Sequence, residues 1–412
     1  MFPEMLAKTE RERRLNKRWR SLSLDANMQV ERAFSAAVTS ICIDGTGAFL
    51  IAAGSDARIN VFDLDNPHKN GRAKVIASAD KNGGHKFSIT GVNWYPNDTG
   101  MFTTSSTDKT IRVWDTNCMQ SACTFNMREK VYIHCMSSIA STAALIAAGT
   151  ESSYVRLCDL KTGDHVQMLQ GHNGPVSGIS WSKTNEFELA TSSKDNTIRI
   201  WDIRKSNSTL ACLRKPTPVV AAPAADTSSK KGKSAAPQFK KSASTLAKFS
   251  DVILGLTYTH FSTHLVSVNL IGTFDVWELE QGGSGGAKHV ATHEIPNTNF
   301  GTDLNCIIPV VPELGSSQVG QEVVVIPSVG YGLRGIGMFD IQSGEAASVL
   351  RGHIGRNACA ALRQNSQQLY SGGFDGEILQ WSPMYMKESF EADESARNVS
   401  ALEDSWSDND RK

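Results

Sequence analysis

The chain has 412 residues, of which 40% are hydrophobic, enough to bury a sizeable core in a globular body. Its 42 Lys and Arg balance 42 Asp and Glu, so net charge implies no partner, and the basic surplus of a dedicated nucleic-acid binder is missing. The first residues, MFPEMLAKTERERRLNKRWR, are charged where a signal peptide carries an apolar core, no stretch approaches the roughly 18 apolar residues of a membrane span, and the scattered cysteines form no C-x-x-C pair. These features predict a soluble intracellular protein with free thiols, no membrane contact and no metal or other cofactor.

In chain order, residues 1–28 are expected to form a helical segment. Leu15, Trp19 and Leu22 fall at i, i+4 and i+7 on one side, with Met5 and Leu6 further up and a charged opposite face. Such a face outside a folded core docks either on that core or on a partner. Repeats then begin. GSDARINVFDL at 54–64, SSTDKTIRVWDT at 105–116, SSKDNTIRIWDI at 192–203 and GGFDGEILQWSP at 372–383 align with one another. In each, an Asp (56, 108, 195, 375) stands six residues before an aromatic side chain (Phe62, Trp114, Trp201, Trp381).

Weaker copies at 152–160, 272–280 and 335–344 bring the number to seven. Markers at 63, 115, 159, 202, 278, 340 and 382 give spacings of 52, 44, 43, 76, 62 and 42. Several match the roughly 40–45 residues of one four-stranded propeller blade. The sequence therefore predicts an all-β, seven-bladed propeller over 29–385. The longest spacing holds residues 214–246, rich in Ala, Ser, Pro and Lys and poor in large apolar side chains, which read as a disordered insertion. Its lysines at 230, 231, 233, 240 and 241 are a candidate nuclear localisation signal, solvated loop lysines being the commoner case. QGGSGG at 281–286 is a second flexible loop, and 386–412 a disordered acidic tail.

Gly330, Gly332 and Gly335 match G-x-G-x-x-G, but they lead straight into a strand pattern instead of a helix, so they read as a turn and not a dinucleotide site. No P-loop or H-E-x-x-H occurs. The chain is expected to be no enzyme and to take no small-molecule substrate.

Gly84-His85, Gly171-His172 and Gly352-His353 precede their tryptophans in register, with His to Trp spacings of 29, 29 and 28. The pattern resembles the WD-repeat family, in which a His, a Ser or Thr of the second strand, the turn Asp and the third-strand Trp form a hydrogen-bonded tetrad. His172, Ser193, Asp195 and Trp201 match it. A threefold recurrence with Trp as fourth member reads as a blade lock, not a catalytic triad.

Beyond the repeats, VNWYPNDTGMFTTSSTDKTIRVWDTN at 92–117, VRLCDLKTGDHVQMLQGH at 155–172, LRGHIGRNACAALRQNSQQLYSGGFDGEILQW at 350–381 and the tail LEDSWSDND at 402–410 are similar to the Cockayne syndrome A family. Members of that family are WD-repeat substrate receptors of a cullin-4 RING ubiquitin ligase in transcription-coupled nucleotide excision repair. The resemblance implies a nuclear protein. Its implied partners are the damaged-DNA-binding adaptor protein of the ligase, the Cockayne syndrome B ATPase, RNA polymerase II and ubiquitination substrates. It also implies an adaptor-binding set: Asp202 and Arg204 of a W-D-x-R box, and Met5, Leu6, Arg14, Leu15, Arg18 and Trp19 of a helix entering the adaptor's cavity. Two alternatives stand beside it. One is direct binding of damaged DNA, which needs a basic face with an aromatic wedge; the other is a scaffold of another nuclear complex.

Overall fold

The computed structural model describes residues 18–29, 34–66, 73–96, 98–139, 144–205, 209–215, 252–280, 286–298, 300, 307–312, 322–330 and 333–383. The insertion at 216–251, the tail from 384 and residues 1–17 lie outside these.

Blade 4 shows how the repeat folds. Ile198–Asp202 lies antiparallel to Glu188–Ser193, with Leu189 opposite Trp201 and Thr191 opposite Arg199. Ile198, Ile200 and Trp201 are buried, as β-branched and aromatic side chains on a pleated, covered surface should be. Between the strands Asp195 Oδ1 accepts the Thr197 N–H at 3.0 Å and its hydroxyl at 2.6 Å, an Asx turn, while Asn196 takes a left-handed φ of 66°. The same turn recurs after each repeated Asp, with Ala57, Lys109 and Gly376 left-handed. The repeated Asp therefore sets the reversal between second and third strands.

Blades 1 to 5, over 38–79, 89–126, 131–169, 176–213 and 253–294, are four-stranded antiparallel meanders. Blade 6 has three strands, Val323–Val329, Gly335–Asp340 and Ala346–Arg351. Among the described residues, its inner side carries a single bridge, Val310 with Val325, beside Pro309, which has no N–H to donate to a ladder. Just before it Ile307 donates its N–H to Leu254 O at 3.2 Å, and a Cβ at Gly255 would stand 1.7 Å from Ile307 O.

Blade 7 consists of Asn357–Arg363, Gln368–Gly373 and Ile378–Pro383, and its outer strand comes from the other end of the chain. Leu22–Gln29 pairs antiparallel with Ile378–Pro383, Leu22 opposite Pro383 and Leu24 opposite Trp381. Of the segment expected to be helical, residues 22–28 are strand instead, and the propeller boundary expected at 29 moves to Leu22, while residues 1–17 lie outside the described residues. Only residues 18–20 form a helical turn among those described, and the propeller begins by Leu22. A ring of sheets leaves the last blade an open edge, and pairing it with the N-terminal strand satisfies both edges at once. The innermost strands of blades 7 and 1 touch, closing the ring.

The core is divided among the interfaces. Seven buried clusters each join two neighbouring blades, from Phe62 with Tyr370 between blades 1 and 7 to Phe274 with Phe339 between blades 5 and 6.

Candidate functional site

Three tetrads lock blades 2, 4 and 7. In blade 4 the Trp201 indole N–H donates to Thr191 Oγ1 at 2.7 Å, Thr191 Oγ1 meets His172 Nε2 at 2.8 Å, and His172 Nδ1 meets Asp195 Oδ2 at 3.3 Å. The donors allow one direction of bonding: indole to hydroxyl, hydroxyl to Nε2, Nδ1–H to carboxylate. Blade 2 repeats it with Trp114, Thr104, His85 and Asp108, and blade 7 with Trp381, Ser371, His353 and Asp375. Burial acts to raise the Asp195 carboxyl, but bonds from His172, Thr197 and the Asn173 N–H outweigh it and hold it well below the usual carboxylate range. In Asp108 the same contest is decided by His85 and Thr110.

Ser193 is not the hydroxyl of this tetrad; Thr191 is. Ser193 donates to Gly174 O at 2.9 Å and accepts the Asp195 N–H at 3.2 Å, so it steadies the turn. Thr191 is fully buried, with its oxygen between the indole and the imidazole, and offers no nucleophile to solvent.

Arg204 lies on the face made by the turns after the third strands. Its Nε and Nη2 both donate to Asp202 at 3.0 Å, and its guanidinium sits 4.5 Å from the Phe187 ring centroid. One edge of the guanidinium is thus engaged by its own Asp202, and the side chain remains 56% exposed. Trp19 is placed quite differently from a docking residue. It is 1% exposed and packs with Leu22, Val323, Met338, Leu369 and Trp381 between blades 6 and 7, while Arg18 donates to Gln367 at 3.3 Å. The described apolar side chains of this segment, Trp19 and Leu22, are covered by the propeller itself. Met5, Leu6, Arg14 and Leu15 lie outside the described residues.

The opposite face carries the mouth of the central channel, a cavity of about 590 Å³. Two registers of the repeat build it. The residue before the turn Asp contributes Ser55, Thr107, Lys194 and Phe374, and the second residue of the inner strand contributes Thr39, Thr90, Tyr132 and Ala358. Lys194 Nζ lies 5.0 Å from the Tyr132 ring centroid, and the Arg356 guanidinium 5.9 Å from that of Phe374. On the same loop face Phe87 is 62% and Ile354 76% exposed.

The WD40 family model, described as WD domain, G-beta repeat, matches residues 28–63, 77–115 and 163–202. The matched segments contain the blade 2 and blade 4 tetrads. The chain carries WD40 repeats. Over 94% of its length, and 94% of the other chain, it is 29% identical to WD repeat-containing protein ATCSA-1 of Arabidopsis thaliana. It is 30% identical to Radiation-sensitive protein 28 of Saccharomyces cerevisiae over 32% of this chain and 27% of that one. With the Ribosome biogenesis protein WDR12 homolog of Nematostella vectensis the figures are 33%, 32% and 31%.

WD-repeat propellers generally act as scaffolds, and here the tetrads hold the loops that present the surface groups. Sequence reading missed the channel mouth. A usable signal was present: the residue before the turn Asp is Ser, Thr, Lys and Phe in four otherwise similar repeats, so this register is free to differ where the lock is not. Phe87 and Ile354, apolar residues just after their tetrad histidines, are a second signal.

Proposed function

We propose that this propeller is the substrate-recognition subunit of a cullin-4 RING E3 ubiquitin ligase in transcription-coupled nucleotide excision repair, acting in the nucleus. The observation that carries the reading is the similarity to ATCSA-1 over 94% of both chains, in line with the Cockayne syndrome A resemblance of the repeats and tail. The protein does no chemistry in this role. It joins the damaged-DNA-binding adaptor on one side to repair partners, the Cockayne syndrome B ATPase and RNA polymerase II, on the other.

Arg204 supports the adaptor side. Asp202 and the Phe187 ring fix its guanidinium in one orientation, so little side-chain entropy remains to be lost when a carboxylate of the adaptor binds the other edge. Tagged full-length chain expressed in cells should recover adaptor and cullin. Arg204→Ala should weaken adaptor affinity about tenfold or more, as a central Arg anchor does, with an unchanged melting temperature. Recovery of no adaptor by the wild-type chain would overturn the ligase reading.

A further inference from the structure

We propose that the channel mouth is a docking site for an acidic segment with an aromatic anchor, and that its occupant is this chain's own residues 402–410. The reading goes beyond the ligase role and does not depend on it. Charge is the first argument. Among the described lining residues the charged side chains are Lys194 and Arg356, both cations that lie against the rings of Tyr132 and Phe374, and exposed Lys86 stands beside Phe87 on the rim. The register's acid, Glu151 of blade 3, is outside the lining and pairs with Lys130 at 3.7 Å. The segment Leu402-Glu-Asp-Ser-Trp-Ser-Asp-Asn-Asp410 carries four acids and no base around Trp406.

Shape is the second. Ile89, Ile307 and Phe374 give the cavity apolar walls between hydroxyl-bearing positions, and 590 Å³ is within the roughly 300–1,000 Å³ of sites that enclose a group as large as an indole. A duplex presents its phosphates on a convex surface and cannot enter such a concavity. Reach is the third. The last strand ends at Pro383 on the opposite face, and the 19 residues from there to Leu402 extend to about 60 Å, against about 20 Å for the height of a six-residue strand. Tethering also supplies a local concentration of about millimolar, so modest intrinsic affinity fills the site in cis. A docked tail would make the mouth available to other acidic partners only by exchange.

Trp406 provides the probe, because the other seven tryptophans, at 19, 94, 114, 181, 201, 277 and 381, are buried in the propeller. Acrylamide quenching of full-length protein, corrected by a Trp406→Phe variant, should report a shielded indole. Lys194→Glu with Arg356→Glu should raise its quenching constant about threefold, as should about 0.5 M salt in the wild type. In trans, a fluorescein-labelled peptide of residues 398–412 should bind full-length Trp406→Ala about tenfold tighter than wild type, whose own tail competes. The charge-reversed variant should not bind it. Lys194→Gln with Arg356→Gln, checked for an unchanged melting temperature, serves if the reversal unfolds the protein. Equal quenching of Trp406 in wild type and both charge variants would overturn the proposal. So would peptide binding insensitive to Lys194 and Arg356, or displacement of the peptide by a lesion-bearing duplex that binds this face more tightly.

Discussion

Thr191 holds two buried groups with one oxygen, and that makes it the most sensitive position of the blade 4 lock. Thr191→Val keeps the shape but leaves the Trp201 N–H and His172 Nε2 without their partner. Unsatisfied buried polar groups cost about 1–3 kcal/mol each, so a loss of about 2–4 kcal/mol is expected in urea unfolding. Ser193→Ala removes a bond to Gly174 O in a turn that Asp195 still closes, and should cost about 1 kcal/mol. If Ser193→Ala proved the more damaging, the assigned tetrad would be wrong. His172, Asp195 and Trp201 were legible from spacing, but the hydroxyl was not, because Thr191 and Ser193 lie two apart on one face of the strand. Comparing repeats resolves it: Thr191 aligns with Thr104 and Ser371, whereas Ser193 aligns with Gly373, which has no hydroxyl to give.

At the scale of the element, the N-terminal strand decides whether the ring is closed. Trp19 and Leu22 fill the cluster between blades 6 and 7, and Arg20 adds an ion pair to Asp340 at 2.8 Å. Trp19→Ala should cost about 3–5 kcal/mol, the usual range for a large aromatic removed from a core, while the half-exposed pair adds little. Deleting residues 1–17 should leave thermal unfolding cooperative and unshifted, since Trp19 and the strand remain. Deleting 1–29 should lower the melting temperature and expose the edge of Ile378–Pro383 to aggregation, seen by light scattering. A folded, monomeric 30–412 chain would refute the closure argument. The helical reading of this segment followed Leu15, Trp19 and Leu22, but Leu22, Leu24, Ala26 and Met28 also alternate with period two. Local pattern supported both, and the unpaired edge of blade 7, set by the far end of the chain, selected the strand. Blade 6 was legible as a repeat from Phe339, yet the single Val310 to Val325 bridge on the inner side of its described strands was not, because a lone Pro309 weakens a ladder without announcing where its neighbours pair.

Across the whole molecule, two sets of carboxyls give stability opposite pH slopes. Asp108, Asp195 and Asp375 are held below the usual range by their histidine and turn bonds, against burial. A group depressed on folding contributes stability above its unfolded pKa of about 3.9 and loses it as pH falls, so the three locks weaken together only in acid. Glu322 behaves in the opposite sense. It is 3% exposed, its Oε2 has no partner among the described residues, and burial pushes its carboxyl up to about 7. Nothing in the sequence marks it, because one Glu before a strand looks solvated until the ring is assembled around it. A raised carboxyl contributes its stability below the unfolded pKa, about 4.3, and loses it as pH rises through 7, up to about 3 kcal/mol in all. Glu322→Gln cannot ionise and escapes that loss. Scanning calorimetry should find the variant level with wild type near pH 4 and several degrees more stable at pH 8, at about 2 °C per kcal/mol for a large domain. A gap that stays the same at both pH values would mean that Glu322 ionises normally and that its pocket is open to water.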